Sequence, residues 1–545
     1  MAAVEFPEAL NLCVEYVDRN VKEGRGERTA LLYGDERYTY REVLENVCRA
    51  AHLLERMGLQ REQRVLLVLS DHPEFVWFWF ATVRMGAVVS AVNPDCKPEE
   101  LAYYLEYTRS RIVVAEERLV GAGLDLDEAR WLHGAIVCRG GSLGSAPPPP
   151  EIVRWETEGG LPAARRPGPA AAKVPVVRWE DVRAELPAEH EPADTLAEDV
   201  GVMLYTSGST GFPKAVVHRH VDFLYNTHTY GLPVLGVRED DVTVGVPKLF
   251  FGYALGTNLL FPFRAGATVA LFPEKSTAER VLEEIHRRRA TILCSVPTML
   301  NAMVHLECEP GRFDWSSLRI TTSAGEALPG ELYERYRAKF GHDVLDGIGS
   351  AELFHVYISN RPGDVVAGSL GKVVEGYEAK ICDDEGRELP DGELGSLWIR
   401  GVSMGLGYFM RTEATRQSFR GEWFVSADKF RRDPDGRFWY GGRTDDLLKV
   451  GGRFLAPIEV ENVLLSHPAV QEVAVVGYLD AEGLEKPRAF VVPRSGHEAT
   501  EALAKELQAL AKEKLQPWKY PRQVVFRDSL PKSDRGKVLK AALRR

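Results

Sequence analysis

The sequence predicts an α/β protein: a large N-terminal α/β domain of several subdomains, followed by a small α+β domain at the C-terminus. Three observations carry this. At 545 residues the chain exceeds what a single core organises, so two or more domains are expected. Up to about residue 135, and again over 267–296, short apolar runs alternate with helix-like segments, the pattern of a layered parallel sheet. The last hundred or so residues carry an alternation of their own.

Arg64–Leu69 reads as a buried strand, Glu99–Leu105 as a helix and Arg111–Ala115 as another strand. Phe75–Val83 is the most membrane-like stretch, but Arg84 interrupts it well short of the roughly 20 apolar residues a span needs. With Asp71-His72-Pro73-Glu74 ahead of it as a helix start, it predicts a buried helix. Residues 139–195 differ. Pro147–Pro150, Gly159-Gly160, an Ala/Pro/Arg tract and Val-Arg-Trp-Glu at both 153–156 and 177–180 predict a loose surface insertion with partly extended backbone. Val200–Leu204 reads as a strand, Ala267–Phe272 and Thr291–Val296 as two more, with a helix over Ser276–Arg289 between them. Beyond these come a helix at Ile458–Leu465, strands at Val470–Val476 and Ala489–Val492, and a helix at Ala502–Leu515. The large domain then spans 1–444 and the small one 445–545, with the junction in the polar turn Arg443-Thr444-Asp445.

Composition narrows the class. Hydrophobic content of 45% with 27% charged residues is that of a soluble globular protein. The net charge of -11 argues against a dedicated nucleic-acid binder. The 7 cysteines are scattered, with no Cys-x-x-Cys pair, which fits a reducing cytosol and supports neither a disulfide framework nor a cysteine zinc site. Met1–Phe6 lacks the basic start and apolar core of a signal peptide, so a cytoplasmic protein is expected. Asn and Gln are scarce, 16 together, as in thermophiles and in GC-rich genomes alike.

The chemistry begins at Leu204-Tyr205-Thr206-Ser207-Gly208-Ser209-Thr210-Gly211-Phe212-Pro213-Lys214. Hydroxyls at Thr206, Ser207, Ser209 and Thr210 can donate to anionic oxygens. Glycines such as Gly208 let backbone N–H groups approach closely, and Lys214 adds charge. A P-loop would need Gly-x-x-x-x-Gly-Lys-Ser/Thr; here Lys214 lies three residues beyond Gly211 and Ala215 follows it. By itself such a loop is also compatible with a flexible connector.

Four further blocks decide the matter: Ser323–Pro329 (SAGEALP), Asp346–Glu352 (DGIGSAE), Gly441–Lys449 (GGRTDDLLK) and Leu530–Lys537 (LPKSDRGK). With the first loop they resemble, in order, the motifs of the adenylate-forming superfamily of acyl- and aryl-CoA ligases, peptide-synthetase adenylation domains and luciferases. The resemblance implies ATP, Mg2+ and CoA as reactants and cofactor, and a mixed anhydride formed before thioester. It assigns the magnesium ligand to Glu352, and carboxylate oxygen suits a hard cation bridging phosphates. The usual threonine before it is Ala351 here, so no phosphate role passes to that position; Ser350 or a water is left to supply it. Asp346 takes the place that accepts from the adenine amino group. Ala324, Gly325 and Glu326 wall the base, with Gly347, Gly349 and Ser350 in the same lining. Ile348 stands where many relatives stack a tyrosine. Asp428 would accept both ribose hydroxyls, assisted by Arg443. Lys537 resembles the lysine that bridges substrate carboxylate and α-phosphate, a task suited to a compact charge on a flexible stem. Lys532 and Lys540 read as solvated. The resemblance makes the small domain mobile, with a hinge at Asp445 and with Lys449, Gly451 and Gly452 in the segment it brings to the thiol tunnel. From the residues alone, a hinge salt bridge is the competing reading for Arg443, and a cap on the following helix that for Asp445.

Within the superfamily, Val246–Gly256 carries Phe250-Phe251 where amino-acid-activating relatives place an aspartate, which disfavours an amino-acid substrate. Together with Asp346–His355 the segment is most similar to benzoate-CoA ligases and their aryl relatives. Gly252, Tyr253, Ile348 and His355 would then border the ring of a small aromatic acid. For His355 a satisfied core histidine is the competing reading. Short or medium aliphatic acids, adenylation without CoA transfer, and nucleotide binding without turnover stay open as alternatives. Expected partners are the acid, ATP and CoA, with no nucleic acid and no integral membrane contact; a homodimer is compatible.

Overall fold

The computed structural model describes residues 6–121, 126, 129–139, 174–206, 213–443, 448–450, 453–480, 484–516, 518–532 and 538–544. Two large sheets carry the N-terminal domain. The 8-stranded sheet is parallel through its middle, over Val200–Thr206, Val88–Ala91, Arg64–Val68, Ile112–Glu116, Gly134–Cys138 and Val176–Arg178, in that spatial order. Lys214–Arg219 and Gly407–Tyr408 extend it antiparallel on the Val200–Thr206 side. In the 9-stranded sheet the parallel run is Val344–Gly349, Ile320–Ser323, Ile292–Ser295, Val242–Gly245, Thr268–Leu271 and Thr29–Tyr33. These strands are largely buried because a parallel sheet is covered on both faces, although Ile320–Ser323 carries three hydroxyl residues.

The helix Pro73–Arg84 is buried along its whole length, as the unbroken apolar run predicts. It packs on the helix Tyr40–Arg56, which starts at a capping box between Thr39 and Glu42. Among the described residues no helix is long and apolar enough to cross a membrane. Of the insertion expected over 139–195, residues 140–173 lie outside the described residues, and Val176–Arg178 leads into the turn of helix Trp179–Val182. Val176–Arg178 is an edge strand of the large sheet, with Trp179 fully buried. The first Val-Arg-Trp-Glu copy lies outside the described residues.

A 5-stranded antiparallel sheet built from Glu378–Cys382, Gly395–Arg400, Phe419–Arg420, Trp423–Arg432 and Phe438–Arg443 completes the large domain. The small C-terminal domain has a 3-stranded sheet of Val470–Leu479, Glu485–Pro493 and Gln523–Phe526, packed by helices Pro457–Leu465 and Glu501–Lys514 around Leu464, Val475, Val491 and Leu507.

A charged cluster lies within the first sheet's core. His72, at the start of helix Pro73–Arg84, is 1% exposed, with Nδ1 3.0 Å from Glu74 and Nε2 3.7 Å from Glu116. Burial alone would depress the imidazole, but Glu116 and Glu74 outweigh it and push its pKa up to about 9. Burial acts against Glu116 too, yet His72, the Ser70 amide and Arg118 bring it down to about 2. A raised histidine stabilises the fold fully below its ordinary value of 6.5 and loses that contribution as pH climbs to about 9. A depressed carboxylate contributes above its ordinary 4.5 and loses it toward 2. The difference in thermal midpoint between the protein and His72→Gln should therefore be greatest between pH 4.5 and 6.5 and shrink by pH 9, at on the order of 1 kcal/mol per pH unit. A difference that is flat across this range would show that the cluster is not charged.

Candidate active site

The carboxyl ends of the parallel strands in the 9-stranded sheet bring polar groups into a row. Register sets Ser295 beside Ser323 and Ser323 beside Asp346. The two hydroxyls and Oδ1 of Asp346 are buried without a hydrogen-bond partner. Burial pushes the Asp346 carboxyl up to about 8. Orphaned polar atoms at the carboxyl edge of such a sheet mark a ligand site.

In front of these strands a cleft of about 1360 Å³ opens between the two domains. Thr206, Lys214, Gly325, Glu326, Gly347, Ile348, Gly349, Ser350, Glu352 and Asp428 all line it. From the small domain come Glu461, Glu472, Lys532, Val538 and Lys540. Ser207, Gly208, Ser209 and Thr210 lie outside the described residues, but the residues that bracket them, Thr206 and Lys214, are register partners at the end of a hairpin that faces the cleft. Lys537 also lies outside the described residues, and Lys532 and Val538, on either side of it in the chain, pair with each other on the cleft wall. Asp445, Gly451 and Gly452 are likewise outside the described residues. Lys449 sits in the short strand Leu448–Val450, opposite Phe454. Lys532 and Lys540 are not the solvated cations expected: they pair with Glu472 and Glu461 at 2.8 and 2.7 Å.

The residues expected on the base side lie as follows. Gly325 has φ +86° with open space where a Cβ would stand, so backbone conformation alone selects glycine there. Glu326 accepts from the Thr298 hydroxyl at 2.7 Å and from its amide at the start of helix Pro297–His305. Ala324 is buried behind them. Asp428 and Arg443 face each other in register across the antiparallel pair Trp423–Arg432 and Phe438–Arg443.

Glu352 is 5% exposed, in the turn Ala351–Leu353. Each carbonyl of this turn is held. His218 Nε2 donates to Ala351 O at 2.7 Å, the Gly405 amide to Glu352 O at 2.9 Å and the Ser403 hydroxyl to Leu353 O at 3.0 Å. The Tyr408 hydroxyl donates to Glu352 Oε1 at 2.6 Å, and Lys214 Nζ lies 4.1 Å from the centre of the Tyr408 ring. Burial, then the Glu352 charge, raises the Tyr408 pKa, so this hydroxyl stays a donor.

Immediately after Glu352 the chain makes a γ-turn. Phe354 has φ +68° and ψ −56°, and the His355 amide bonds to Leu353 O at 2.9 Å. A bulky residue there is strained, and such strain clusters at functional sites. The turn sends Glu352 toward the cleft and His355 into an aromatic nest. The His355 ring stands 5.3, 5.4 and 4.8 Å from those of Tyr253, Tyr230 and Phe261. Its Nε2 donates to Tyr253 O at 2.9 Å and lies 3.1 Å from Thr257 Oγ1. Burial pushes its pKa down to about 3, so the ring is neutral and Nδ1, buried without a partner, keeps a lone pair. The Tyr253 hydroxyl meets Thr322 Oγ1 at 2.6 Å. Gly252 is close-packed as well: a Cβ there would sit 3.1 Å from Phe354 O. Gly252, Tyr253 and His355 thus form one cluster behind Ile348, separate from the cleft lining.

A family model of AMP-binding enzymes matches residues 17–409, and that of their C-terminal domain matches 459–537. The chain belongs to the AMP-binding enzyme family. Benzoate–CoA ligase of Thauera aromatica is 37% identical to it, over 99% of this chain and 97% of its own. A 4-hydroxybenzoate–CoA/benzoate–CoA ligase of Rhodopseudomonas palustris is 36% identical over 98% and 94%. Among solved structures, an anthranilate CoA ligase in complex with anthranoyl-AMP superposes with a TM-score of 0.88 at 35% identity, covering 100% of this chain and 98% of that one. A benzoate CoA ligase from Burkholderia xenovorans does so at 0.84 and 36%, covering 98% and 100%.

In this AMP-binding enzyme, sequence reasoning missed the residues that hold the motifs. His218, bonded to the fully buried Asp222 at 2.9 Å, and Tyr408 both act on the Glu352 turn. Tyr103 on helix Pro98–Thr108 donates to Pro213 O at 2.9 Å, and Tyr107 bridges the Ala215 amide and Phe409 O, bracing the strand Lys214–Arg219 at its start. Tyr230 and Thr257 lie in wide π-helical segments, Thr227–Gly231 and Gly256–Leu260.

Proposed function

We propose that this AMP-binding enzyme is an ATP-dependent aryl-CoA ligase that converts benzoate or a substituted benzoate, ATP and CoA into aryl-CoA, AMP and pyrophosphate. The observation that carries it is the γ-turn at Phe354, which joins a carboxylate on a nucleotide-sized cleft to an apolar, aromatic-walled cluster one residue later. The named activities of the similar benzoate– and anthranilate–CoA ligases agree with it.

On this reading the small acid lies with its ring near Tyr253, Ile348 and His355, and the lone pair on His355 Nδ1 accepts from a hydroxyl or amino substituent. The acid's carboxylate oxygen attacks the α-phosphorus of ATP, and pyrophosphate leaves with the bonding pair. The CoA thiolate sulfur then attacks the acyl carbon of the adenylate, and AMP leaves. Asp346 Oδ1 accepts from the adenine amino group, which satisfies an atom otherwise orphaned. Asp428 receives the ribose hydroxyls with Arg443 opposite. Lys214, the hydroxyls of 206–210 and Lys537 offset phosphoryl charge where it builds up. The Glu352 carboxylate and the partnerless buried Ser350 hydroxyl form an oxygen donor set that suits Mg2+. When bound, the ion neutralises phosphate charge. We place the hinge at Asp445, so that 445–545 swings to exchange Lys537 for the 449–452 segment between the two half-reactions.

The test incubates purified protein with ATP, Mg2+, CoA and a panel of acids, benzoate first, and follows pyrophosphate and thioester with Lys537→Ala alongside. Benzoate-dependent release of both products, with adenylation lost in the variant, is expected. Pyrophosphate without thioester would exclude CoA as the acceptor. Turnover of aliphatic acids alone would overturn the aryl assignment.

A further inference from the structure

Away from the residues that line the cleft, a second set of side chains has metal-ligating composition. We infer that His52, Glu55 and His190 bind a divalent transition cation of the zinc class, which ties the helix Tyr40–Arg56 to the chain running toward the phosphate hairpin.

His52 and Glu55 are one turn apart on the helix and so share a face. His190 comes from the irregular stretch between Leu186 and the strand Val200–Thr206. Glu55 Oε2 lies 3.5 Å from His52 Nδ1 and 3.9 Å from His190 Nε2, and the three candidate ligand atoms are all within 4.8 Å of one another. A tetrahedral ion with bonds of about 2.0–2.2 Å holds its ligand atoms about 3.3–3.6 Å apart. The Glu55 side chain is 61% exposed on its helix.

The surroundings prepare both imidazoles. His52 Nε2 lies 2.7 Å from Glu189 O, a group that only accepts, so the proton sits on Nε2 and the lone pair of Nδ1 is turned toward Glu55. Metal-binding histidines have this same outer bond to a backbone carbonyl, which fixes tautomer and ring orientation. The backbone of His190 is anchored where Arg84 donates to its carbonyl through Nε at 3.0 Å and also through Nη2. The Arg84 charge is itself offset by Asp18, 2.8 Å from its Nη1. The two rings meet edge to face, 4.8 Å apart at 74°.

Two nitrogens and one carboxylate select the borderline metals, zinc with cobalt and nickel, over the all-oxygen preference of magnesium and calcium. The site is thus chemically distinct from the Glu352 cleft, and none of its residues lines that cleft. With three protein ligands and an exposed side, a water completes the coordination. A cation held by the folded chain stabilises it in proportion to its occupancy.

Untagged full-length protein, stripped with chelator, is dialysed against micromolar ZnCl2 in excess Mg2+, and bound zinc is counted by atomic absorption with the thermal midpoint followed in parallel. One zinc per chain is expected, with a zinc-dependent rise in midpoint. His190→Ala should lose both. Glu55→Ala, on an exposed helical face where folding is not at stake, should weaken zinc binding at least tenfold with the zinc-free midpoint unchanged. Zinc bound equally by these variants, or not bound by the unaltered protein, would overturn the assignment.

Discussion

Glu352→Gln is expected to lower acid-dependent pyrophosphate exchange by about 10²–10³-fold while leaving the fold intact. The two side chains have the same shape, and the Tyr408 hydroxyl, 2.6 Å from Oε1, can donate to an amide oxygen as it does to the carboxylate. The carbonyl bonds from His218, Gly405 and Ser403 do not involve the side chain, so the turn stays in place. What disappears is one negative charge in a site 5% exposed to solvent, where electrostatic interactions are least screened. A cation bridging phosphates would feel that loss, so the Mg2+ concentration needed for half-maximal exchange should rise. The thermal midpoint should match that of the unaltered protein. Exchange close to normal at low Mg2+ would remove Glu352 from the proposed mechanism.

Gly349→Ala should damage both stability and turnover, for a reason that lies in the backbone. A Cβ at this position would stand 2.4 Å from His355 O, 2.6 Å from His355 C and 2.8 Å from Val356 N. None of these is the end of a flexible side chain. The strand Val344–Gly349 must move away from Val356–Ser359, to which it is paired. Overpacking of this kind costs about 1–3 kcal/mol. The displaced carbonyl is one residue beyond Phe354, so the shift passes directly into the turn that aims Glu352. A misplacement of about 1 Å can cost 10²-fold in rate. Gly325→Ala is the informative contrast. It too lies on the cleft, but its added Cβ meets nothing within 4 Å, leaving only the left-handed backbone at φ +86° to be strained. Its stability loss should be about 1 kcal/mol, smaller than that of Gly349→Ala. Urea unfolding of both variants, with pyrophosphate exchange alongside, separates the two effects. Equal losses would show that the approach of Gly349 to His355 is not what restricts this position.

Much of the architecture was legible because burial on both faces leaves a plain mark. Arg64–Val68 and Ile112–Glu116 are apolar runs bounded by charges, and the helix Pro73–Arg84 is apolar all round. The antiparallel sheet of 378–443 was less legible. A strand such as Gly395–Arg400 buries every second residue, and its charged and turn-rich neighbours dilute that alternation. Val176–Arg178 was hidden for another reason: its three residues follow a Pro/Ala-rich tract whose composition suggests no packed structure. In the site, the motif residues were legible by chemical type and local spacing. Tyr408, His218 and Tyr103 were not, since they reach their partners across 56, 133 and 110 residues of chain. No local pattern encodes such a contact.

The γ-turn at Phe354 has a thermodynamic corollary. Glu352 and His355 are separated by Leu353 and Phe354, whose amides bond to Ser350 O and Ala351 O while Leu353 O accepts from the His355 amide and the Ser403 hydroxyl, so the two ends are coupled through the turn. If the nucleotide–metal complex settles one end and the acid the other, each ligand narrows the conformations left to its counterpart. By reciprocity the factor by which ATP tightens the acid must equal the factor by which the acid tightens ATP. Redesigning the aromatic nest for a new acid would then also change the affinity for nucleotide.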